Sequence, residues 1–178
     1  MSSSDPDRLA ARRARLAVIG SALLAGAGSA LLSGCGFKLR GAEPLAFQRV
    51  ALTGFAPRSP LAEALQAALQ DRGVTVEANP ARAELVLQAL ADARERSVVA
   101  TTSAAQVREL QLRLRLRWRT HTPAGREVTP PAELVLARDM SYSESLALAK
   151  QHEEADFYRE MQADIVAQVM RRLAAVRL

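Results

Sequence analysis

The feature that most constrains the fold is a run of strict alternation between residues 110 and 118. Apolar side chains occupy every second position there, and the positions between them carry Gln111 and then arginines. Successive side chains of a β-strand point to opposite faces, so a period of two predicts a strand with one face in a core. The opposite face then carries guanidinium groups about 6.6 Å apart, those of Arg113, Arg115, Arg117 and Arg119. The chain must therefore form a sheet with one covered face.

Two helices are predicted as the cover of that face. Ser59 and Pro60 supply an N-cap and a first helical residue, apolar side chains then recur at helical spacing, and Gly73 ends the helix. A second helix is predicted at residues 149–175. Its buried stripe is expected to hold Phe157, Met161, Ile165, Val169 and Leu173.

The remaining apolar runs predict the other strands of the sheet. Strands are expected at residues 47–53, 74–77, 84–90 and 132–140, the third with an extension towards residue 100. A turn at residues 122–125 makes the last of these the hairpin partner of the alternating strand. The pattern predicts an α/β (α+β) domain with two helices packed on one face of a mixed four- to five-stranded sheet.

Residues 1–34 are typical of an export signal. Four arginines precede an uncharged run at residues 16–32, which glycines and serines dilute. A membrane-spanning helix needs about 20 predominantly apolar residues, so this run is short for an anchor and favours a cleaved signal peptide. The general export route is favoured over the twin-arginine route because the residues around Arg12 and Arg13 lack most of that motif.

The end of this run resembles the bacterial lipobox in Leu32-Ser33-Gly34-Cys35. The resemblance implies cleavage before Cys35, a diacylglyceryl group on its thiol and an acylated new N-terminus. Several acyl chains give a stable anchor, since each buried methylene contributes about 0.8 kcal/mol. Gly36 in place of aspartate implies passage to the outer membrane, where the protein faces the periplasm. The alternative is an uncleaved signal anchor with an ordinary apolar cysteine.

Removal of the signal changes what the charge implies. The full chain has a formal net charge of +5, which alone would suggest nucleic acid as a partner. Loss of the four arginines and two aspartates of residues 1–34 lowers this charge to +3. We expect no nucleic-acid partner, because a lipid-anchored exported protein does not meet cytoplasmic DNA. Residues 35–46 predict a lipidated tether with a reach of at most about 36 Å, ahead of a single domain at residues 47–178.

Residue counts exclude most cofactor chemistry. Cys35 is the single cysteine and the chain has two histidines, so an intrachain disulfide and a structural Cys/His metal cage are excluded. His152 precedes two glutamates but lacks the second histidine of a zinc-binding HExxH. No serine has an identifiable base. We therefore expect neither an enzyme nor a metal nor a cofactor, apart from the covalent lipid on Cys35.

The arginine row has two interpretations. Fixed guanidinium groups at strand spacing can bind phosphates or carboxylates in a bidentate manner. Alternatively, the row is a solvated sheet face whose arginines pair with acidic residues of the next strand, such as Glu133 and Asp139. Arg138 lies on that next strand and is expected to enlarge either kind of cluster.

Lys150 is one of two lysines in a chain with 22 arginines. A cation near a helix start is electrostatically unfavourable, because the helix dipole there favours anions. Lys150 is therefore either a ligand contact or the partner of Glu153 or Glu154 at helical spacing.

The sequence after residue 34 begins Cys35-Gly36-Phe37-Lys38-Leu39-Arg40. This start resembles that of the LptE family of lipopolysaccharide-assembly lipoproteins, which typically opens with Cys-Gly-aromatic-x-Leu-Arg. The likeness continues through the Ser-Pro-Leu helix start, the paired strands, Arg138 with Tyr142, Ala147-Leu148-Ala149-Lys150-x-x-Glu153, and Glu160-Met161 followed by Asp164 and Arg171-Arg172-Leu173. It extends over nearly all of the residues after the signal.

The resemblance implies two helices on a mixed four-stranded sheet, placed inside the LptD β-barrel of the Gram-negative outer membrane. There the protein would plug the barrel, assist its assembly and help deliver lipopolysaccharide to the outer leaflet. By position, Lys150 falls where the family has a basic residue associated with lipopolysaccharide contact. Residues 99–105 lack the basic residue that some relatives have, and the arginine strand is a candidate substitute. The expected lipopolysaccharide-binding set is Lys150, Arg113, Arg115, Arg117 and Arg138.

A second function from a different class competes with this one. The chain could be a generic outer-membrane lipoprotein that acts as a scaffold or envelope-binding module without a lipid substrate. Recovery of a barrel partner in stoichiometric amount separates the two functions.

Overall fold

The alternating segment lies in the middle of an antiparallel three-stranded part of the sheet. The computed structural model describes residues 44–178. Its elements in chain order are β1 (Arg49–Thr53), α1 (Pro60–Gln70), β2 (Thr75–Val76), β3 (Leu85–Thr101), β4 (Val107–His121), β5 (Glu127–Ser141) and α2 (Ala147–Ala174). The predicted signal peptide, Cys35 and residues 36–43 of the predicted tether lie outside the described residues.

The five strands form one mixed sheet in the order β2-β1-β3-β4-β5. Strand β1 is parallel to both β2 and β3, whereas the β3–β4 and β4–β5 pairs are antiparallel. The predicted architecture of two helices on a mixed sheet is confirmed. Strand β1 pairs with β3 only over residues 85–88, so β3 is an open edge from Ala91 to its end.

The core lies between the helices and the apolar face of β4. The five apolar side chains of the alternating segment are all buried, with relative exposures of 2% or less. They belong to one cluster with buried residues of both helices, including Leu65 of α1 and Ile165 of α2. Burial of one face of β4 is what the period of two predicts.

Helix α1 begins and ends as its sequence predicts. The Ser59 hydroxyl accepts a hydrogen bond from the backbone N–H of Ala62 at 3.1 Å, and Pro60 is the first helical residue. This cap satisfies one of the otherwise unpaired N–H groups at the helix start. After the helix, Gly73 adopts φ +76°, a conformation that favours glycine.

Helix α2 buries a stripe that differs from the predicted one at a single position. Met161, Ile165, Val169 and Leu173 are fully buried, as predicted. The expectation that Phe157 is buried is wrong, because Phe157 is half-buried and Tyr158 takes the core position. Tyr158 can be buried because its hydroxyl donates a 2.8 Å hydrogen bond to the backbone carbonyl of Glu95.

Strands β4 and β5 are longer than the sequence predicts. Strand β3 ends at Thr101, close to the predicted extension towards residue 100, and its register with β4 shifts between Ala89 and Ala91 and again between Val98 and Thr101. Strand β5 begins at Glu127 and includes Pro130 and Pro131. Two consecutive prolines usually argue against a strand, but β5 is an edge strand, where a missing N–H need not break the ladder.

Candidate functional site

The outer sheet face, defined as the side of β3, β4 and β5 that points away from the helices, carries the arginine row. Arg113, Arg115 and Arg117 alternate with the buried leucines, so all three lie on this face with Arg119. The structure therefore brings together three of the five residues expected to bind lipopolysaccharide.

Most of these arginines already have polar partners. Glu95 of β3 lies 3.8 Å from an Arg113 nitrogen and 3.6 Å from an Arg115 nitrogen, measured to its carboxylate oxygens. Arg115 also lies 4.0 Å from Glu133 of β5. The Arg119 Nε donates to the Gln88 side-chain oxygen at 2.9 Å. Pairing with acidic neighbours, one of the two sequence interpretations, thus accounts for much of the row.

Sequence reasoning named Glu133 correctly as a partner but missed Glu95. In the sheet, Glu95 is directly opposite Arg113. That register depends on the shift between Ala89 and Ala91, which moves every later β3 residue by one position relative to β4. No sequence signal marks this shift, so the partner could not be found without the structure.

Arg138 does not join the arginine row, and the expectation that it enlarges this cluster is wrong. The register pairs Arg138 with Leu112 and its neighbour Ala137 with Arg113. Residues directly opposite each other share a face of the sheet. Arg138 therefore lies on the face of the buried leucines, at its exposed margin on β5.

Lys150 is also separate from the arginine row. It lies in the first turns of α2, and its side chain is only 14% exposed. The Lys150 Nζ donates to the Ser141 hydroxyl at 3.0 Å and to the Glu153 carboxylate at 2.7 Å. The predicted pairing of Lys150 with Glu153 is confirmed, and a single basic surface formed by all five expected residues is not observed.

The surroundings of Lys150 form the hairpin end of the molecule, defined here as residues 99–108 and 142–150. A cleft of about 310 Å³ lies between residues 106–108, which begin β4, and residues 142–145. Arg108 lines this cleft and has no polar side-chain partner among residues 44–178. Four large apolar side chains are exposed at or beside this end: Val98, Val99, Leu146 and Leu148.

Two cation–π contacts lie beside the hairpin end, one from β3 to α2 and one from β3 to the segment between β5 and α2. The Arg94 guanidinium carbon lies 5.0 Å from the centre of the Tyr158 ring, and that of Arg96 lies 5.8 Å from the centre of the Tyr142 ring. Arg94 also donates to Gln162 at 2.8 Å. Burial, together with the nearby Glu154 charge, raises the pKa of Tyr158 above its ordinary value. The phenol thus stays protonated and keeps its hydrogen bond.

Two further properties of the described residues bear on the kind of site. In the described part of the chain, no group of three histidine, cysteine, aspartate or glutamate side chains is placed to hold a metal ion. Neither α1 nor α2 combines the length and the apolar character that a membrane-spanning helix needs.

Comparisons with known proteins place the chain in a family. The model of the LptE family, described as lipopolysaccharide-assembly, matches residues 47–173. A sequence comparison with curated proteins finds no match.

Three solved structures that are similar to this chain are those of lipoproteins. The solution structure of lipoprotein B from Nitrosomonas europaea is 29% identical, with a TM-score of 0.66 over 79% of this chain and 91% of that one. A minor lipoprotein from Acinetobacter baumannii is 23% identical, with a TM-score of 0.60 over 74% of this chain and 94% of that one. The rare lipoprotein B from Shewanella oneidensis is 21% identical, with a TM-score of 0.58 over 71% and 94% of the two chains.

The family match extends from just before β1 to the last turn of α2, and so includes all five strands and both helices. The fold of the similar lipoproteins agrees with it. The chain therefore belongs to the LptE lipopolysaccharide-assembly family.

Proposed function

We propose that this chain is a lipoprotein of the outer membrane that plugs an LptD-type β-barrel, assists its assembly and helps deliver lipopolysaccharide to the outer leaflet. The family match over residues 47–173 is the observation that carries this proposal. It supports a role in lipopolysaccharide assembly in general terms. The barrel partner, the outer membrane and the lipid on Cys35 are the finer parts of the proposal.

Helix α2 separates Lys150 from the start of the described chain. The described chain starts at Pro44, which lines a cleft with Ala174 and Arg177 at the C-terminal end of α2. Cys35 is nine residues upstream, so an acyl anchor there would hold Pro44 within about 32 Å of the bilayer. Lys150 lies near the other end of α2, about 36 Å along the helix axis.

We place the lipopolysaccharide contact of the chain at Lys150. An ammonium group has three N–H donors, and two of them meet Ser141 and Glu153. The third can donate to a lipid phosphate. An acylated phosphoglycolipid presents phosphate groups and acyl chains. The neighbouring Arg108 offers a cation for the phosphates, and the exposed apolar side chains of the hairpin end offer a surface for the acyl chains.

The arginines are weaker candidates for the same ligand. Arg113 and Arg115 already contact Glu95, which lowers the positive potential that a phosphate would meet. A contribution of Arg117 and Arg138 to lipopolysaccharide binding stays part of the proposal, and Arg117 is tested together with Arg113 and Arg115.

The direct test is lipopolysaccharide binding to anchor-less protein that starts at residue 36. Lys150→Met is expected to lower the affinity several-fold, and because the Lys150 side chain is only 14% exposed, salt should screen its phosphate contact less than that of an exposed cation. Arg172→Met, which removes an exposed cation at the other end of α2, is the matched control and should leave binding unchanged. The melting temperature of each variant shows that it is folded.

A combined Arg113/Arg115/Arg117→Ala variant tests the arginine row in the same assay. If neither this variant nor Lys150→Met changes the salt-sensitive binding, the ligand role fails. The scaffold without a lipid substrate then becomes the better account, and the pairing of Lys150 with Glu153 is its specific support.

A further inference from the structure

The outer sheet face has no cover in the described part of the chain, residues 44–178. Both helices pack on the opposite side of the sheet, in one cluster with the leucines of β4. Sheets of this kind often leave one face to solvent. Three features of this face differ from an ordinary solvated surface.

The first feature is a balance of charge. Four arginines of β4 share the outer sheet face with five carboxylates: Glu95, Glu109, Glu127, Glu133 and Asp139. An anionic headgroup gains little from a face whose net charge is near zero. A protein surface of mixed charge is the complementary partner, because each sign on one side can meet the other sign across the contact.

The second feature is a flat margin of small apolar residues on both sides of the arginine row. Ala91 and Ala93 lie opposite Arg117 and Arg115 on β3, and Ala137 lies opposite Arg113 on β5. Alanine is a poor strand former, so strand propensity does not explain why alanines occupy these solvent-facing positions. Its small size lets another backbone approach. Val135 adds an exposed apolar side chain to the same margin.

The third feature is unused hydrogen-bonding capacity within the row. Among residues 44–178, Arg117 has no polar side-chain partner, although Glu133 is opposite it in the register, because Glu133 lies closer to Arg115. The Arg115 Nε is buried and has no acceptor in the described chain. Arginine is enriched and lysine depleted at protein interfaces, and this face has no lysine.

We propose that the outer sheet face docks against the inner wall of the barrel partner, through polar side chains that include a carboxylate for Arg117. Side chains on the inner side of a membrane barrel are polar and recur at every second strand position. That spacing matches the spacing of the arginines on β4. The inference rests on the proposed barrel partner and adds which surface of this chain meets it.

The first test is photocrosslinking of the full-length lipoprotein in its own outer membrane. A benzophenone amino acid is placed at Val135 or Ala137 on the outer sheet face, and at Ala155 or Ala163 as exposed control positions on α2. Adducts with the barrel are expected from both β5 positions at several-fold higher yield than from α2. Adducts from α2 alone, or from β5 to a second copy of this chain, overturn the inference.

The second test reverses one charge. Arg117→Glu is expected to lower the amount of barrel recovered with the lipoprotein about tenfold, as for a charge reversed within a contact. Arg172→Glu, an exposed arginine on α2, is the control and should change recovery little. If Arg117→Glu leaves the amount of recovered barrel unchanged, the proposed docking surface is wrong, although the proposed barrel partner is not contradicted. If no barrel is recovered with the unaltered protein, the proposed function itself is contradicted.

Discussion

At the scale of single residues, Gly54 allows a close approach between the end of β1 and the backbone of β3. Gly54 follows β1 and adopts φ +76°, and a Cβ atom there would lie 2.1 Å from the carbonyl oxygen of Ala89. Ala89 is the residue at which the register of β3 shifts. Because the obstructing atom belongs to the backbone, a side chain at position 54 forces part of β3 to move.

We predict that Gly54→Ala lowers the free energy of unfolding by about 2–5 kcal/mol. About 1–2 kcal/mol comes from the left-handed conformation and the rest from the collision with Ala89. Gly73→Ala is the matched control, since Gly73 has the same φ of +76° but nothing within 4 Å of the added Cβ. It should lose only the conformational part. Urea unfolding measures both, and equal losses would show that the collision is absent.

Glu84 ties the start of β1 to the segment before β3. Its carboxylate accepts a 2.9 Å hydrogen bond from the backbone N–H of Gln48 and lies 3.2 Å from the Arg49 Nε. The Gln48 hydrogen bond, followed by the Arg49 contacts, lowers the pKa of Glu84 below its ordinary value. A carboxylate with a lowered pKa stabilises the fold above its unfolded-state pKa, and this contribution is lost as the pH falls through the folded-state pKa.

We therefore predict that Glu84→Gln destabilises the domain at pH 7 and that the difference from the unaltered protein disappears in acid. Urea unfolding at pH 7 and pH 3 measures this difference directly. Glu160→Gln removes an exposed glutamate that has no polar partner in the described chain, and serves as the control at both pH values. A difference between Glu84→Gln and the unaltered protein that is as large at pH 3 as at pH 7 would contradict the role of the charge.

At the scale of elements, stability depends on the contact of β4 with α2. Leu114 and Ile165 are fully buried in one cluster, and each lies at the middle of its element. Truncation of either side chain to Ala is expected to cost about 2–5 kcal/mol of unfolding free energy, because it removes buried methyl groups and leaves a cavity.

Val135→Ala on the exposed side of β5 is the control for these two truncations and should change stability by less than about 0.5 kcal/mol. The melting temperature of anchor-less protein reports all three. Similar values for Leu114→Ala, Ile165→Ala and the unaltered domain would mean that the core is assigned to the wrong face.

Periodicity explains which elements the sequence could predict. The alternation in β4, the cap of α1 and the stripe of α2 depend on residues close in the chain, and each was predicted with its type and nearly its bounds. The register shifts of β3 and the two prolines of β5 depend on neighbours across the sheet. Local propensity carries no information about those neighbours.

In the candidate site, too, features that depend on residues close in the chain were predictable, and features that depend on the register of the sheet were not. The row Arg113, Arg115 and Arg117 was predictable as one face because a strand alternates. The place of Arg138 was not, because a register fixed by the whole hairpin decides which face each residue of β5 takes. Lys150 was predicted with its Glu153 partner, which is three residues away on one helix, but not with Ser141 of β5.

At the scale of the whole molecule, the anchor is the first consequence of the proposed function that can be measured. Cys35→Ser removes the thiol that lipidation requires and is expected to leave unprocessed or unanchored protein. Mass spectrometry of the envelope fraction should find Cys35 as an acylated N-terminus in the unaltered protein. An intact chain that still begins with Met1 would rule this processing out.

The central claim is that this member of the LptE family works in a complex with an outer-membrane barrel. The most direct measurement is purification of the full-length lipoprotein from detergent-solubilised outer membranes, through a tag after residue 178, with quantitative mass spectrometry of the proteins that come with it. The account predicts one β-barrel protein in a 1:1 ratio, retained at high salt. Lipoprotein that is recovered from the same membranes without a stoichiometric barrel would contradict it.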